Sequence, residues 1–292
     1  EDDHPLGCFI PATSPRWVGE DEALLIADRY DVWKFSPDGK KIENLTKGEG
    51  RRTGVQYRIL DLGRRNDPYL YQNIQSFPKK GKLYLTTFGE ETSENGYAVA
   101  NIAKPSVPQG FTDKWSFSST VKAKDAGTIA YLKGNFRNPM NLHITRDEWK
   151  TAECLTDLNR QQDGYLWGDV QMVRWTSYDG TPLKGLLYTP ENLDASRKYP
   201  MMIYFYEKNS ETLYNYIQPA PSRSIINIPF YVSRGYVVFV PDIVYKDGHP
   251  GESAYNCICA GAEAMCSQFP FVDRSRMAIQ GQSWGGYQTA YL

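Results

Sequence analysis

Ile279-Gln280-Gly281-Gln282-Ser283-Trp284-Gly285-Gly286-Tyr287 is the stretch whose reading decides the fold. Within it Gly281-Gln282-Ser283-Trp284-Gly285 fits the Gly-x-Ser-x-Gly pattern of a nucleophile elbow, in which a serine on a strained strand-to-helix turn exposes its hydroxyl above a sheet. The flanking glycines suit that geometry, because a tight turn that brings strand and helix together leaves no room for Cβ atoms. The pattern alone is weak, and its context decides. Met277-Ala278-Ile279 predicts a short buried strand before the turn, and residues 286–292 predict a helix after it.

Upstream of the elbow the elements come in the order such a turn requires. Residues 170–176 and 183–188 predict two strands joined around Asp179-Gly180, a hairpin signal. The wholly apolar runs 201–205 and 236–240 suit a parallel sheet buried on both faces. A helix is expected over 225–234, closed by Gly235. A second is expected from an N-cap at Ser253, with Tyr255, Ile258, Cys259, Ala262, Met265, Cys266 and Phe269 on its buried stripe. Residues 164–292 therefore read as the N-terminal half of an α/β-hydrolase domain.

Residues 1–163 follow a different rhythm. Short strands are expected at 23–27, 30–35, 42–46, 82–87, 128–132, 141–145 and 153–156, with Ser36-Pro37-Asp38-Gly39 a strong turn between two of them. Antiparallel sheets recurring at about 40 to 50 residues suggest β-propeller blades, two to three of them, the last part of a ring. An ordinary β-sandwich also fits that periodicity. Gln161-Gln162-Asp163-Gly164 is the expected joint between the two domains.

Composition narrows the function classes. The 292 residues carry a net charge of −1, and 23% are charged, so neither nucleic acid nor an anionic membrane is an expected partner. No apolar run approaches the roughly 20 residues that span a bilayer. Glu1-Asp2-Asp3-His4-Pro5 is unlike a signal peptide, so any leader is expected to be absent or removed. Five cysteines (Cys8, Cys154, Cys257, Cys259, Cys266), an odd count, fit no zinc spacing, and no disulfide framework is expected, which leaves the compartment open. No metal or cofactor is expected.

Four motifs in order carry a family resemblance: Thr176-Ser177-Tyr178-Asp179-Gly180-Thr181-Pro182-Leu183-Lys184-Gly185, then Pro190, then Lys198-Tyr199-Pro200, then Val272-Asp273-Arg274-Ser275-Arg276-Met277-Ala278 running into the elbow. Together they resemble the prolyl oligopeptidase family of serine peptidases. The resemblance implies an α/β-hydrolase behind a β-propeller that hydrolyses short peptides through an acyl-enzyme. It puts the nucleophile at Ser283, one oxyanion donor at the Trp284 N–H, and the second at the Tyr206 hydroxyl, as in the dipeptidyl peptidase branch. Such a donor is worth about 3 to 4 kcal/mol at the developing oxyanion.

The sequence also departs from the family. Glu207-Lys208-Asn209 stands where Gly-Gly-Pro is common, and Asp242-Ile243-Val244-Tyr245-Lys246 lacks the usual Arg-Gly, so the oxyanion loop and substrate pocket are expected to differ in shape. In α/β-hydrolases the carboxylate and histidine of the triad follow the serine, whereas the sequence stops at Leu292, shortly after Ser283. His4 and His143 fall in the first half, and His249 as a base would break the family's chain order. The expectation is a piece of a longer enzyme, without peptidase turnover on its own.

Two other readings stay open: a carboxylesterase on the same elbow, and an inactive propeller-hydrolase binding protein. A propeller gives a small-ester hydrolase little benefit, and the intact elbow speaks against lost activity. The dipeptidyl peptidase branch holds the substrate's amino terminus with a glutamate pair ahead of this stretch, and Glu20-Asp21-Glu22 reads instead as a solvated turn. A peptide substrate is the expected partner, a homo-oligomer is compatible, and cleavage preference is not legible.

Overall fold

The computed structural model describes residues 15–62, 76–222 and 224–292. They divide into two compact units, one reaching to Asn135 with Met140–Asp157 added, the other made of Phe136–Pro139 and Leu158–Leu292.

The first unit is three consecutive four-stranded antiparallel meanders. β1 (Arg16–Val18), β2 (Ala23–Ala27), β3 (Val32–Phe35) and β4 (Ile42–Asn44) form the first. After helix α1 (Glu49–Thr53), β5 (Val55–Ile59), β6 (Lys82–Gly89), β7 (Asn95–Asn101) and β8 (Gln109–Gly110) form the second. β9 (Ser116–Lys122), β10 (Ile129–Gly134), β11 (Asn141–Thr145) and β12 (Glu153–Cys154) form the third. Burial alternates along β2 and β6: in β6, Leu83, Leu85 and Thr87 are buried and the residues between them are less so, the period of two that a pleated strand imposes. Leu25, Val32, Leu45, Leu83 and Leu85 belong to one buried cluster. Tyr97 ties the second meander to the third, stacked on Trp149 at 4.3 Å and edge-on to Phe117 at 5.3 Å. No meander closes on itself among the described residues. Glu20 and Asp21 are exposed in the turn between β1 and β2, and Glu22 pairs with Lys79.

The second unit is a five-stranded mixed sheet. Its strands are β13 (Asp169–Thr176), β14 (Pro182–Thr189), β15 (Tyr199–Tyr204), β16 (Val237–Pro241) and β17 (Val272–Gln280). They lie in the order β13-β14-β16-β15-β17, antiparallel up to β16 and parallel from β16 through β15 to β17. Helices α2 (Ile228–Val232), α3 (Pro250–Gln268) and α4 (Trp284–Tyr291) follow β15, β16 and β17 in turn. The apolar run of β16 is buried at every position because alternate residues serve two cores. Val237 and Phe239 pack with Trp175 and the α3 residues Ala254, Cys257 and Ile258. Val238 and Val240 pack with Leu186, Tyr188, Ile228 and Val232 on the α2 side. Gly261 lets α3 close on the sheet: a methyl group there would stand 2.9 Å from the Phe239 ring and 3.0 Å from Trp175.

Four local expectations are corrected. The helix expected over 225–234 is confined to Ile228–Val232, started by Pro229 in its first turn and by the Asn227 side chain accepting from Phe230 N, although Gly235 does turn the chain at φ 81°. α3 begins at Pro250, not after a Ser253 cap, because proline supplies its φ ready-made in the first turn. Ser253 lies inside the helix, where its hydroxyl donates to His249 O and accepts from Lys246 N. Tyr255 leaves the buried stripe and faces outward beside Tyr178. Met277 and Ile279 are exposed, because β17 ends the strand order among the described residues and nothing covers its outer side.

Candidate active site

Ser283 follows the last residues of β17 and immediately precedes α4, with φ 55° and ψ −113°. That backbone lies outside the wells open to L-residues, costs about 1 to 3 kcal/mol and persists only where its surroundings enforce it. The surroundings are two backbone contacts. A Cβ at Gly281 would collide with the Gly285 carbonyl, and one at Gly285 would stand 2.5 Å from Phe205 O. The elbow is thereby pressed against its own helix and against the end of β15. Ser283 is exposed. The Trp284 N–H opens α4, among the first-turn amides that have no acceptor within a helix and that carry the positive end of its dipole.

Tyr206 comes two residues after the end of β15 and is 37% exposed, so it is not a core sheet tyrosine. The main chain from Tyr206 to Ser210 is held at successive points by the segment that follows β16. The Tyr206 carbonyl accepts from the Tyr245 hydroxyl at 3.0 Å and from Gln288 Nε2 at 3.2 Å. Glu207 O accepts from Ile243 N at 2.9 Å. Buried Asp242 takes Asn209 N at 2.7 Å and Ser210 N at 2.8 Å on one carboxylate oxygen and the Ser210 hydroxyl on the other. Trp284 Nε1 donates to Tyr245 Oη at 2.8 Å, and Gln288 Nε2 also donates to that oxygen. Burial pushes the Tyr245 hydroxyl well above its ordinary pKa. The departures at Glu207-Lys208-Asn209 and at Asp242-Ile243-Val244-Tyr245 thus belong together, since the second segment clamps the first.

Ser283, Trp284 and the Tyr206 main chain meet through this network of side chains and glycine contacts. Tyr245, Gln288 and Asp242 were not among the expected site residues. An aspartate and a tyrosine directly after an apolar strand carried a faint signal, and Gln288 carried none. His249 stands at the start of α3, exposed, with Nδ1 3.3 Å from Glu252 Oε2. His143 lies in β11 against Tyr131, its pKa lowered by burial and by Lys133. His4 and Cys8 lie outside the described residues. A cavity of about 440 Å³ lies near the opposite strand ends, lined by Tyr199, Pro200, Arg234 and Tyr236 among others, and is separate from the elbow. Among the described residues no group of three His, Cys, Asp or Glu side chains is placed to hold a metal ion, and no helix is long and apolar enough to cross a membrane.

A strand order with two antiparallel pairs leading into parallel strands, and a strained serine between the last strand and a helix, define an α/β-hydrolase elbow. No family model matches the chain. In sequence it is 28% identical to dipeptidyl peptidase 8 of Mus musculus over 83% of this chain and 28% of that protein. It is 24% identical to dipeptidyl-aminopeptidase B of Aspergillus niger over 96% of this chain and 31% of that protein. In structure it resembles Porphyromonas gingivalis dipeptidyl peptidase 4, with TM-score 0.65 and 15% identity over 95% of this chain and 38% of that one. It also resembles Pyrococcus horikoshii acylaminoacyl peptidase, with TM-score 0.60 and 16% identity over 95% and 42%. These relatives and structural neighbours are serine-type hydrolases of the prolyl oligopeptidase family, and it is this family that the chain resembles. It spans about three tenths of the length of the curated relatives it matches.

Proposed function

We propose that the protein carrying this chain is a serine peptidase acting on short peptides, with Ser283 as nucleophile. Ser283 Oγ adds to the scissile carbonyl carbon while a general base takes its proton. The resulting oxyanion is held by the Trp284 N–H and the Tyr206 hydroxyl, and its collapse breaks the C–N bond and releases the protonated amine, leaving an acyl-enzyme that water hydrolyses. The base and its orienting carboxylate are assigned to the region that follows the serine in the family's chain order. The three meanders are assigned as blades of an incomplete β-propeller. The observation that carries the reading is the Ser283 backbone, left-handed and enforced by Gly281 and Gly285, which supports an elbow kept for its chemistry. Names among the relatives favour dipeptides as the released product.

The test is an intact-mass spectrum of the protein, isolated as its gene encodes it, before and after a fluorophosphonate probe. A single adduct mapping to Ser283 and absent from Ser283→Ala is the expected result. A folded wild-type protein that takes no adduct overturns the reading.

A further inference from the structure

We propose that Tyr245 is a positioning residue that sets the Tyr206 main chain against the nucleophile elbow, with Gln288 as its second anchor. The proposal rests on the reading of Tyr206 as an oxyanion donor.

The bonding is saturated at its centre. A phenolic hydroxyl has one proton to give and two lone pairs. The Tyr245 hydroxyl gives its proton to Tyr206 O and accepts from Trp284 Nε1 and Gln288 Nε2. The Gln288 amide has two N–H groups, one on Tyr245 Oη and the other on Tyr206 O. The Tyr206 carbonyl in turn accepts both donors. Three segments far apart in sequence therefore share one knot: the end of β15, the stretch after β16, and the first turns of α4. Two of them carry the groups assigned to the oxyanion, Tyr206 and Trp284. The third carries Tyr245, whose hydroxyl is taken up by Tyr206 O, Trp284 Nε1 and Gln288 Nε2.

Gln288 shows that the knot is more than filler. Its side chain is fully buried, and its Oε1 has no hydrogen-bond partner. An amide in such a place is worse than leucine or methionine of similar size unless its N–H groups are needed. Both are used, one on Tyr206 O and the other on the Tyr245 hydroxyl that also holds Tyr206 O. Tyr245 is also held as a neutral donor, since burial keeps its hydroxyl protonated through the ordinary pH range. Beyond Tyr206 the loop is fixed separately, by Ile243 N on Glu207 O and by Asp242 on Asn209 and Ser210. Without the Tyr245 and Gln288 bonds, the peptide plane after Tyr206 is free to tilt, and the direction of its side chain tilts with it. A displacement of about 1 Å at such a donor lowers rate by up to about 100-fold.

The experiment is a double-mutant cycle on the protein as its gene encodes it, read as the second-order rate of fluorophosphonate addition at Ser283. Tyr245→Phe keeps the ring and removes the hydroxyl, and Tyr206→Phe removes the donor it is said to aim. Each single variant is expected to react at least about tenfold slower than wild type. The double variant should be no slower than the slower single within about twofold, because Tyr245 has nothing left to position. A Tyr245→Phe rate within about twofold of wild type overturns the proposal, and so do single effects that multiply in the double variant. Should Tyr245→Phe fail a circular-dichroism check of folding, Gln288→Met replaces it in the same cycle with the same two outcomes. A wild type that takes no adduct overturns the function beneath the proposal, which distinguishes that failure from a failure of the Tyr245 role.

Discussion

The meander unit and the α/β unit each bury an aspartate that gathers backbone N–H groups from a distant loop, and they use it differently. Asp31, ahead of β3, accepts from Gly50 N at 3.1 Å, Arg51 N at 3.2 Å and the Thr46 hydroxyl at 2.6 Å. It satisfies the start of α1, whose own N-cap is Gly48 and offers no side chain. Asp242, after β16, fastens Asn209 and Ser210 behind Tyr206. The same device closes a short helix in one region and shapes a candidate catalytic loop in the other. Its chemistry is common, and its meaning comes from what the tethered loop carries. The sheets differ in parallel fashion: strands packed on one face alternate, whereas β16 is apolar throughout because helices cover both sides.

The largest effects should come from the two cores. Phe239→Ala, which opens a space under Trp175 and α3, is expected to cost about 3 to 5 kcal/mol, and Leu85→Ala in the meander core about 2 to 4, by urea unfolding. A cost for Phe239→Ala below about 2 kcal/mol would break its assignment to the core beneath Trp175 and α3. Next come the aspartates. Asp31→Ala and Asp242→Ala each strand buried N–H groups and should each cost about 1 to 3 kcal/mol. Only Asp242→Ala should also slow fluorophosphonate addition at Ser283, and equal slowing by Asp31→Ala would erase the distinction drawn between them. The smallest effect is a gain: Ser283→Gly relieves the strained backbone and should raise stability by about 1 kcal/mol. A loss on thermal melting would mean that the elbow is not strained.

Legibility followed the physical signal. The elbow was readable because serine strain requires glycine at fixed spacing, and β16 because double burial leaves an unbroken apolar run. β9 was missed, since its Ser-Phe-Ser-Ser-Thr-Val-Lys sequence is mostly polar at a sheet edge. β7 was missed because it opens on Asn95-Gly96, which reads as a turn. Gly96 is instead squeezed against the Phe111 main chain. The exposure of Met277 and Ile279 depends on what neighbours β17, which local hydrophobicity does not encode. Tyr245, Gln288 and Asp242 act across three segments, and no spacing rule links positions 206, 245 and 288.

The contact of Gly281 and Gly285, backbone on backbone, also sets how this elbow tolerates inheritance of errors. Every missense change at either codon adds at least a Cβ where a carbonyl already stands. Gln282, exposed between them, has no such constraint. A saturation library should therefore be empty at Gly281 and Gly285 and crowded at Gln282, so that lineages can diverge beside the nucleophile while its frame stays fixed.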